Sequence, residues 1–172
     1  ALFWPELPED RARAALRTTL SRLRDDLAAD VIVTRGADEV GIDPKLLACD
    51  LHALEQAMTT TNGGQGLEQF VGEFLDSVHI DGAAEEFEHW VSGERVRIAQ
   101  EMVAALVRAA ERARAAGDIA RALRAATRAS ELAPHDEAVA RLVIDLHIAA
   151  GDHGSARQAF ERLRERLRRD LE

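Results

Sequence analysis

The residues Ala-Ala-Gly-Asp occur twice in this chain, at positions 115–118 and 149–152. The interval between the two copies equals the tetratricopeptide period of about 34 residues, at which helix–turn–helix units stack on their neighbours to bury their apolar faces. The segment ELAPHDEA, which contains Pro134, falls where one unit would end and the next begin. The repeat therefore predicts two consecutive helical hairpins, over residues 103–136 and 137–170.

Small side chains support a tetratricopeptide-like interpretation of these two units. Alanine lets two antiparallel helices approach closely, and we expect such crossings at Ala110, Ala122 and Ala129. In the second unit, Ala156 and Phe160 stand one repeat period after Ala122 and Ala126, so we expect both to face inward. A single helical hairpin without repeat function is the alternative.

The N-terminal segment 10–26, DRARAALRTTLSRLRDD, is basic although the formal net charge of the chain is −9. Its leucines recur at steps of three and four residues, which predicts an amphipathic helix whose buried stripe consists of Leu16, Leu20, Leu23 and Leu27. At about 100° per residue, the flanks of the stripe and the opposite arc hold Arg11, Arg13, Arg17, Thr18, Ser21, Arg22 and Arg24. One face should pack in a core, and the other should be basic.

The hydrophobic period changes after this helix. Residues 31–34 are mostly β-branched, residues 36–38 are typical of a turn, and residues 40–42 could form a second short strand. This pattern predicts a β-hairpin with Arg35 near its tip. A helix followed directly by a hairpin is the order at the reading end of a winged helix, where the helix enters the major groove and the hairpin contacts the flanking backbone. An ordinary solvated helix face is the alternative. Asp38 and Glu39 at the predicted tip would be repelled by phosphates.

The middle of the chain is acidic. Residues 36–94 contain thirteen acids and one base, Lys45. Acids facing phosphates would cancel the attraction of the arginines, so we expect this segment to lie away from any DNA. Its apolar spacing predicts helices over 45–58, 66–78 and 83–117. The loop 59–66, TTTNGGQG, lacks the Gly-Lys-Ser/Thr ending and the preceding strand of a phosphate-binding loop.

Few residues could support catalysis or metal binding. The spacing Glu86–His89 occurs once, whereas a di-iron bundle needs two such motifs. Cys49 alone can form neither an internal disulfide nor a cysteine zinc cluster, and no hydrolase or metalloprotease motif is present. We therefore expect a protein that is not an enzyme and needs no metal or cofactor. No apolar run approaches the ~18 residues of a membrane span, so we expect a soluble, cytoplasmic protein.

Two parts of the chain resemble known families. The segment LFWPELPEDRARAALRTTLSRLRDDL with VIVTRG resembles the last half of an OmpR-type winged helix. The segments GEFLDSV and EEFEHWVSGERVRIAQEMV, with the tandem repeats, resemble the bacterial transcriptional activator domain. Together they resemble the Streptomyces antibiotic regulatory protein type of activators over nearly the whole chain.

This resemblance implies a mainly α fold. Residues 1–43 would be the C-terminal part of a winged-helix DNA-binding domain, a recognition helix with its hairpin wing. Residues 44–172 would be an α-helical, tetratricopeptide-like bacterial transcriptional activator domain.

The resemblance also implies a function. An activator of this type binds double-stranded promoter DNA, and its helical domain supports dimerisation and contact with RNA polymerase. Carried over by position, the recognition-helix roles fall on Arg13, Arg17, Thr18, Ser21, Arg22 and Arg24, and the wing role falls on Arg35. The alternative is a protein-interaction module in which the repeats hold a partner and the basic helix only packs on them.

Overall fold

A computed structural model describes residues 2–27, 30–36, 39–59, 67, 70, 72–76, 78 and 84–170. Its elements are, in order, α1 (Glu9–Asp26), β1 (Ile32–Arg35), β2 (Glu39–Ile42), α2 (Asp50–Thr59), α3 (Glu85–Ala115), α4 (Ile119–Leu132), α5 (Glu137–Ala149) and α6 (His153–Asp170). Among the described residues, β1 and β2 form a two-stranded antiparallel sheet and the other elements are helices. The expected fold class, mainly α with one hairpin after the first helix, is confirmed.

The chain divides into two compact units. The first comprises Ala1–Ala53 and Leu75–Gly93 and contains α1 and the sheet; we call it the hairpin unit. The second comprises Leu54–Phe74 and Glu94–Glu172 and contains α4, α5 and α6; we call it the repeat unit. Helices α2 and α3 contribute residues to both.

The repeated tetrapeptide ends one helix and begins the next. Gly117 has φ 80°, and the Asp118 N–H donates to the Ala113 carbonyl oxygen at 2.9 Å, which are the features of a Schellman cap after α3. The Asp118 carboxylate then accepts from the Arg121 N–H at 2.9 Å and caps α4. The second copy of the tetrapeptide repeats the same bonds between α5 and α6. The predicted boundaries at this turn are therefore confirmed.

Alanines form much of the core of the repeat unit. Helix α4 packs against α5, and α5 packs against α6. The alanines expected at helix crossings are fully buried, namely Ala110, Ala122 and Ala129. The expectation for α6 is half right, because Ala156 is buried whereas Phe160 is 50% exposed. Ala159, one residue before Phe160 and three after Ala156, takes the buried position instead.

The predicted helix over 66–78 is wrong for the residues that the structure describes. Gly72 has φ 103° and Leu75 has φ 52°, which are left-handed conformations that an α-helix cannot contain. This stretch is instead held by the fully buried Leu67 and by two arginines that donate to its carbonyls. One of them is Arg128, whose Nη2 donates to the Phe70 oxygen at 3.2 Å.

The helix predicted over 45–58 begins later than expected. The Asp43 carbonyl accepts from the N–H groups of Leu46 and Leu47 at 3.1 Å, and its carboxylate accepts from the Lys45 N–H at 2.9 Å. These bonds close a separate turn around Pro44, and α2 starts only at Asp50. The predicted helix is therefore confirmed over its second part.

Candidate nucleic-acid interface

The arginines of α1 lie on the solvent side of the helix. Acids in the first turn and Arg24 in the last turn match the helix dipole, which favours helix formation here. Most of the predicted contact residues on α1 are exposed, namely Arg13, Arg17, Thr18, Ser21 and Arg22, whereas Arg24 is half-buried. The helix thus presents cationic groups over more than three turns, about 17 Å at ~1.5 Å per residue.

These side chains differ in the ion pairs and hydrogen bonds that they already form. Arg13 Nη2 lies 2.6 Å from the Glu9 carboxylate, so its charge is partly neutralised. The Thr18 hydroxyl donates to the Ala14 carbonyl at 3.0 Å, a bond within its own helix. In the described part of the chain, no carboxylate forms an ion pair with Arg17 or Arg22. Among the described residues, these two arginines have no ion pair to break before they meet an anion.

The hairpin that follows α1 brings a further arginine to the surface. Arg35 ends β1 and is paired in register with Glu39, the first residue of β2. Both side chains are exposed. A carboxylate therefore stands in the neighbouring strand opposite the predicted wing residue, whereas Asp38, also expected at the tip, lies outside the described residues.

The leucine stripe of α1 is less buried than predicted. Leu16 and Leu23 are each 41% exposed, and Ala12 is the buried residue of this helix. Ala12 and Leu16 line an apolar pocket together with the N-terminal residues Leu2, Phe3, Trp4 and Leu7. Of the four stripe leucines only Leu16 lines this pocket, and it is as exposed as Leu23. The expectation of a fully buried stripe is wrong here.

A row of aromatic rings joins the N-terminal segment to α3. The ring centroids of Phe3 and Phe87 are 5.4 Å apart, and those of Phe87 and Trp90 are 5.7 Å apart. Trp4 continues the row at 5.9 Å from Phe3. Trp4 is half-buried while Trp90 is 40% exposed, so the rings act partly as packing anchors and partly as surface.

The acidic first turn of α3 belongs to the same unit as α1. Its acids Glu85, Glu86 and Glu88 are exposed. The Nε2 atom of His89 lies 3.9 Å from the carboxylate of Glu85. Its neighbour is therefore not Glu86, the residue that the Glu-x-x-His spacing indicates. Within the described ranges, none of these carboxylates forms an ion pair with an arginine of α1.

Among the described residues, no cluster of three or more histidine, cysteine, aspartate or glutamate side chains could hold a metal ion. None of the described helices combines the length and the apolar character required to cross a membrane.

A second feature, which was not predicted from the sequence, is a groove in the repeat unit with a volume of about 990 Å³. We call it the α3–α5 groove. Its α3 side extends from Val96 to Glu111 and its α5 side from Ala138 to Asp145. The apolar residues on the α3 side recur at steps of three and four, a signal that is present in the sequence. The same spacing is equally typical of a helix face that is buried in a core.

The structure thus defines a helical-repeat protein that also carries a basic helix and a hairpin. The sequence of residues 46–172 matches the family model of the bacterial transcriptional activator domain. Because this match covers well over half of the chain, the chain belongs to that family, which comprises transcription activators and not enzymes. Comparison with curated proteins and with solved structures gives no match.

Proposed function

We propose that this protein is a transcription activator that binds promoter DNA through α1 and the β1–β2 hairpin and contacts RNA polymerase through its repeat unit. The observation that carries the proposal is the exposed arginine face of α1 in a chain of net charge −9. In this scheme residues 1–43 serve DNA binding, residues 44–172 serve activation, and the same helical region supports a homodimer.

Charge explains why α1 suits a duplex. Each phosphate that an arginine neutralises releases condensed counterions, and this release is the main source of salt-dependent affinity. Among the described residues, Arg17 and Arg22 have no ion pair to give up, whereas Arg13 must first leave Glu9. We therefore rank Arg17 and Arg22 above Arg13 as phosphate contacts. The half-buried Arg24 and the hydroxyls of Thr18 and Ser21 would contact the duplex only where it lies closer to the helix surface.

The hairpin supplies a weaker contact. Arg35 would reach the flanking backbone of the duplex, as the hairpin of a winged helix does. Glu39, opposite Arg35 in register, would be repelled by the same phosphates. The wing contact therefore contributes less affinity than the helix.

Electrophoretic mobility shifts over a salt series, with promoter DNA and the full chain, test the proposal. Replacing Arg17 or Arg22 with alanine should weaken binding and, for a phosphate contact, lower the slope of log K against log salt by about one. Arg141→Ala is the matched control, since this exposed arginine already pairs with Glu137 at 3.0 Å in the repeat unit. If all three variants bind promoter DNA as the unmodified chain does, α1 is a solvated helix face and the proposal fails.

A protein-interaction module without DNA binding is the second candidate. The α3–α5 groove favours it, because an apolar concavity of this size suits a ligand and needs no help from α1. Absence of a mobility shift at every salt concentration, together with partner binding through the repeat unit, would select this candidate.

A further inference from the structure

The α3–α5 groove has the length of a helical ligand. Its α3 side runs from Val96 to Glu111, which is about 22 Å at ~1.5 Å per residue. A ligand helix of about 14 residues, or four turns, would fill this length. The groove lies entirely within the repeat unit.

The lining of the groove favours a helix over an extended peptide. The α3 and α5 walls are helices, whose backbone groups are already hydrogen-bonded, and the other lining residues, Leu132, Ala133 and Asp136, belong to no strand. The groove therefore offers no free sheet edge to which a strand could add. Alanines such as Ala104 and Ala138 alternate with the larger Val103 and Leu142. Small residues let a third helix approach closely, and the larger ones pack between its apolar side chains.

One end of the groove is negative. Glu111 and Asp145 are separated by one repeat period, so they are equivalent in the two units, and both line the groove. Both are exposed, and neither forms an ion pair with an arginine in the part of the chain that the structure describes. Each also lies four residues before the end of its helix, where the helix dipole adds negative potential.

Two arginines also line the groove and offset part of this charge. Arg141 is paired with Glu137, and Arg108 lies one turn before Glu111. Arg112 and Arg114, in the last turn of α3, do not line the groove.

From these features we infer that the α3–α5 groove binds an amphipathic helix of a partner protein, whose apolar face fills the groove and whose basic end meets Glu111 and Asp145. The inference deepens the proposed function, because it names the chemistry that the repeat unit recognises. It rests on that function only in assigning partner contact to this unit.

Synthetic helical peptides provide the test. Two lactam-bridged peptides of about 14 residues share one leucine stripe, and they carry either arginines or glutamates at both ends. By fluorescence anisotropy the full chain should prefer the arginine peptide roughly fivefold, as two exposed ion pairs allow. The double variant Glu111→Gln with Asp145→Asn should lose this preference while it still binds the leucine stripe.

Ala104→Glu tests the floor of the groove. Ala104 is exposed, so the variant should fold, and the carboxylate that a bound helix would cover should weaken both peptides roughly tenfold. Ala120→Glu, at an alanine of α4 that is also exposed and lies outside the groove, is the control and should bind as the unmodified chain does. Equal thermal melting of the two variants shows that any difference in binding arises in the groove.

The outcomes separate the groove from the proposed function. Ala104→Glu should leave promoter affinity unchanged in a mobility shift and reduce activated transcription in vitro. Failure of both peptides to bind overturns the groove inference alone, and absence of DNA binding by the unmodified chain overturns the DNA-binding proposal alone. If sedimentation shows a dimer that Ala104→Glu dissociates, a second copy of the chain occupies the groove and the inference of a partner helix is wrong.

Discussion

Gly117 and Gly151 hold the same place in the two copies of the repeated turn and share the same left-handed backbone, with φ of 80° and 75°. A side chain added at either position would meet open space, so the cost of alanine there is that of the backbone conformation alone. We expect Gly117→Ala and Gly151→Ala each to lower the free energy of unfolding by about 1–2 kcal/mol. Gly93→Ala, inside α3 and also in open space, is the control and should raise that free energy by about 0.5–1 kcal/mol. Urea denaturation measures all three, and equal effects at Gly93 and Gly117 would contradict the cap assignment.

The Asp152 cap should make stability depend on acid. The Ser155 backbone N–H, and then the Ser155 hydroxyl, donate to the Asp152 carboxyl and hold its pKa below the usual range. A lowered folded-state pKa gives stability that is present above the unfolded pKa of about 3.9 and is lost as pH falls through the folded-state pKa. Asp152→Asn keeps an acceptor but cannot titrate, so we expect it to be less stable at neutral pH and less sensitive to acid.

Urea denaturation from neutral pH down to about pH 2.5, below the usual aspartate pKa, measures this effect. Asp145→Asn is the control, because this aspartate caps no helix in the described residues. A constant difference between Asp152→Asn and the unmodified chain at every pH would show that the carboxyl does not titrate as proposed.

The alanines of the repeat unit are a test of close helix packing. Ala122 is fully buried in α4, whereas Ala120 on the same helix is exposed. Ala122→Leu should overpack the core and lower the free energy of unfolding by roughly 1–3 kcal/mol. Ala120→Leu should change it by less than about 0.5 kcal/mol. An unchanged denaturation midpoint for Ala122→Leu would mean that the repeat is only a coincidence of spacing.

Local sequence signals predicted the parts of the fold that are determined locally. The Ala-Ala-Gly-Asp turns are such a case, because the glycine conformation and the aspartate cap depend on neighbouring residues alone. The stripe of α1 and the burial of Phe160 depend instead on which elements cover them, and periodicity does not contain that information. The false helix at 66–78 has the same origin, since Leu67 is buried and Phe70 is held by an arginine of α4 without either being part of an α-helix.

The candidate site was predictable to a similar degree. Sequence placed the arginines on one helix, and the structure shows most of them exposed. It could not show that Arg13 is paired with Glu9 and that, among the described residues, Arg17 and Arg22 form no ion pair. The groove was missed because it requires α3 and α5 to lie side by side, which is a tertiary relationship. The boundary between residues 43 and 44 stays a prediction.

Arg128 should hold the backbone at Phe70 on the repeat unit. Its guanidinium donates to the Phe70 carbonyl and pairs with Glu131 at 2.8 Å, and most of its side chain is buried. Arg128→Met keeps the apolar stem and removes the donor, so we expect a loss of about 1 kcal/mol and faster amide exchange around Phe70. Arg124→Met, an exposed arginine on the same helix, should change neither. Hydrogen exchange measured by mass spectrometry tests this prediction. Unchanged exchange in Arg128→Met would show that the buried Leu67, and not Arg128, holds the backbone around Phe70.

Glu39 should weaken the wing contact with DNA. It is exposed and stands opposite Arg35 in the hairpin, so it would face the phosphates that Arg35 approaches. Glu39→Gln removes this repulsion, and we expect promoter binding to tighten roughly two- to fivefold at low salt, with the gain fading as screening increases. Glu111→Gln, in the repeat unit, changes the net charge by the same amount and should leave affinity unchanged. Mobility shifts at two salt concentrations distinguish a local contact from a general effect of charge. If both variants tighten binding equally, net charge is responsible and the hairpin does not touch the duplex.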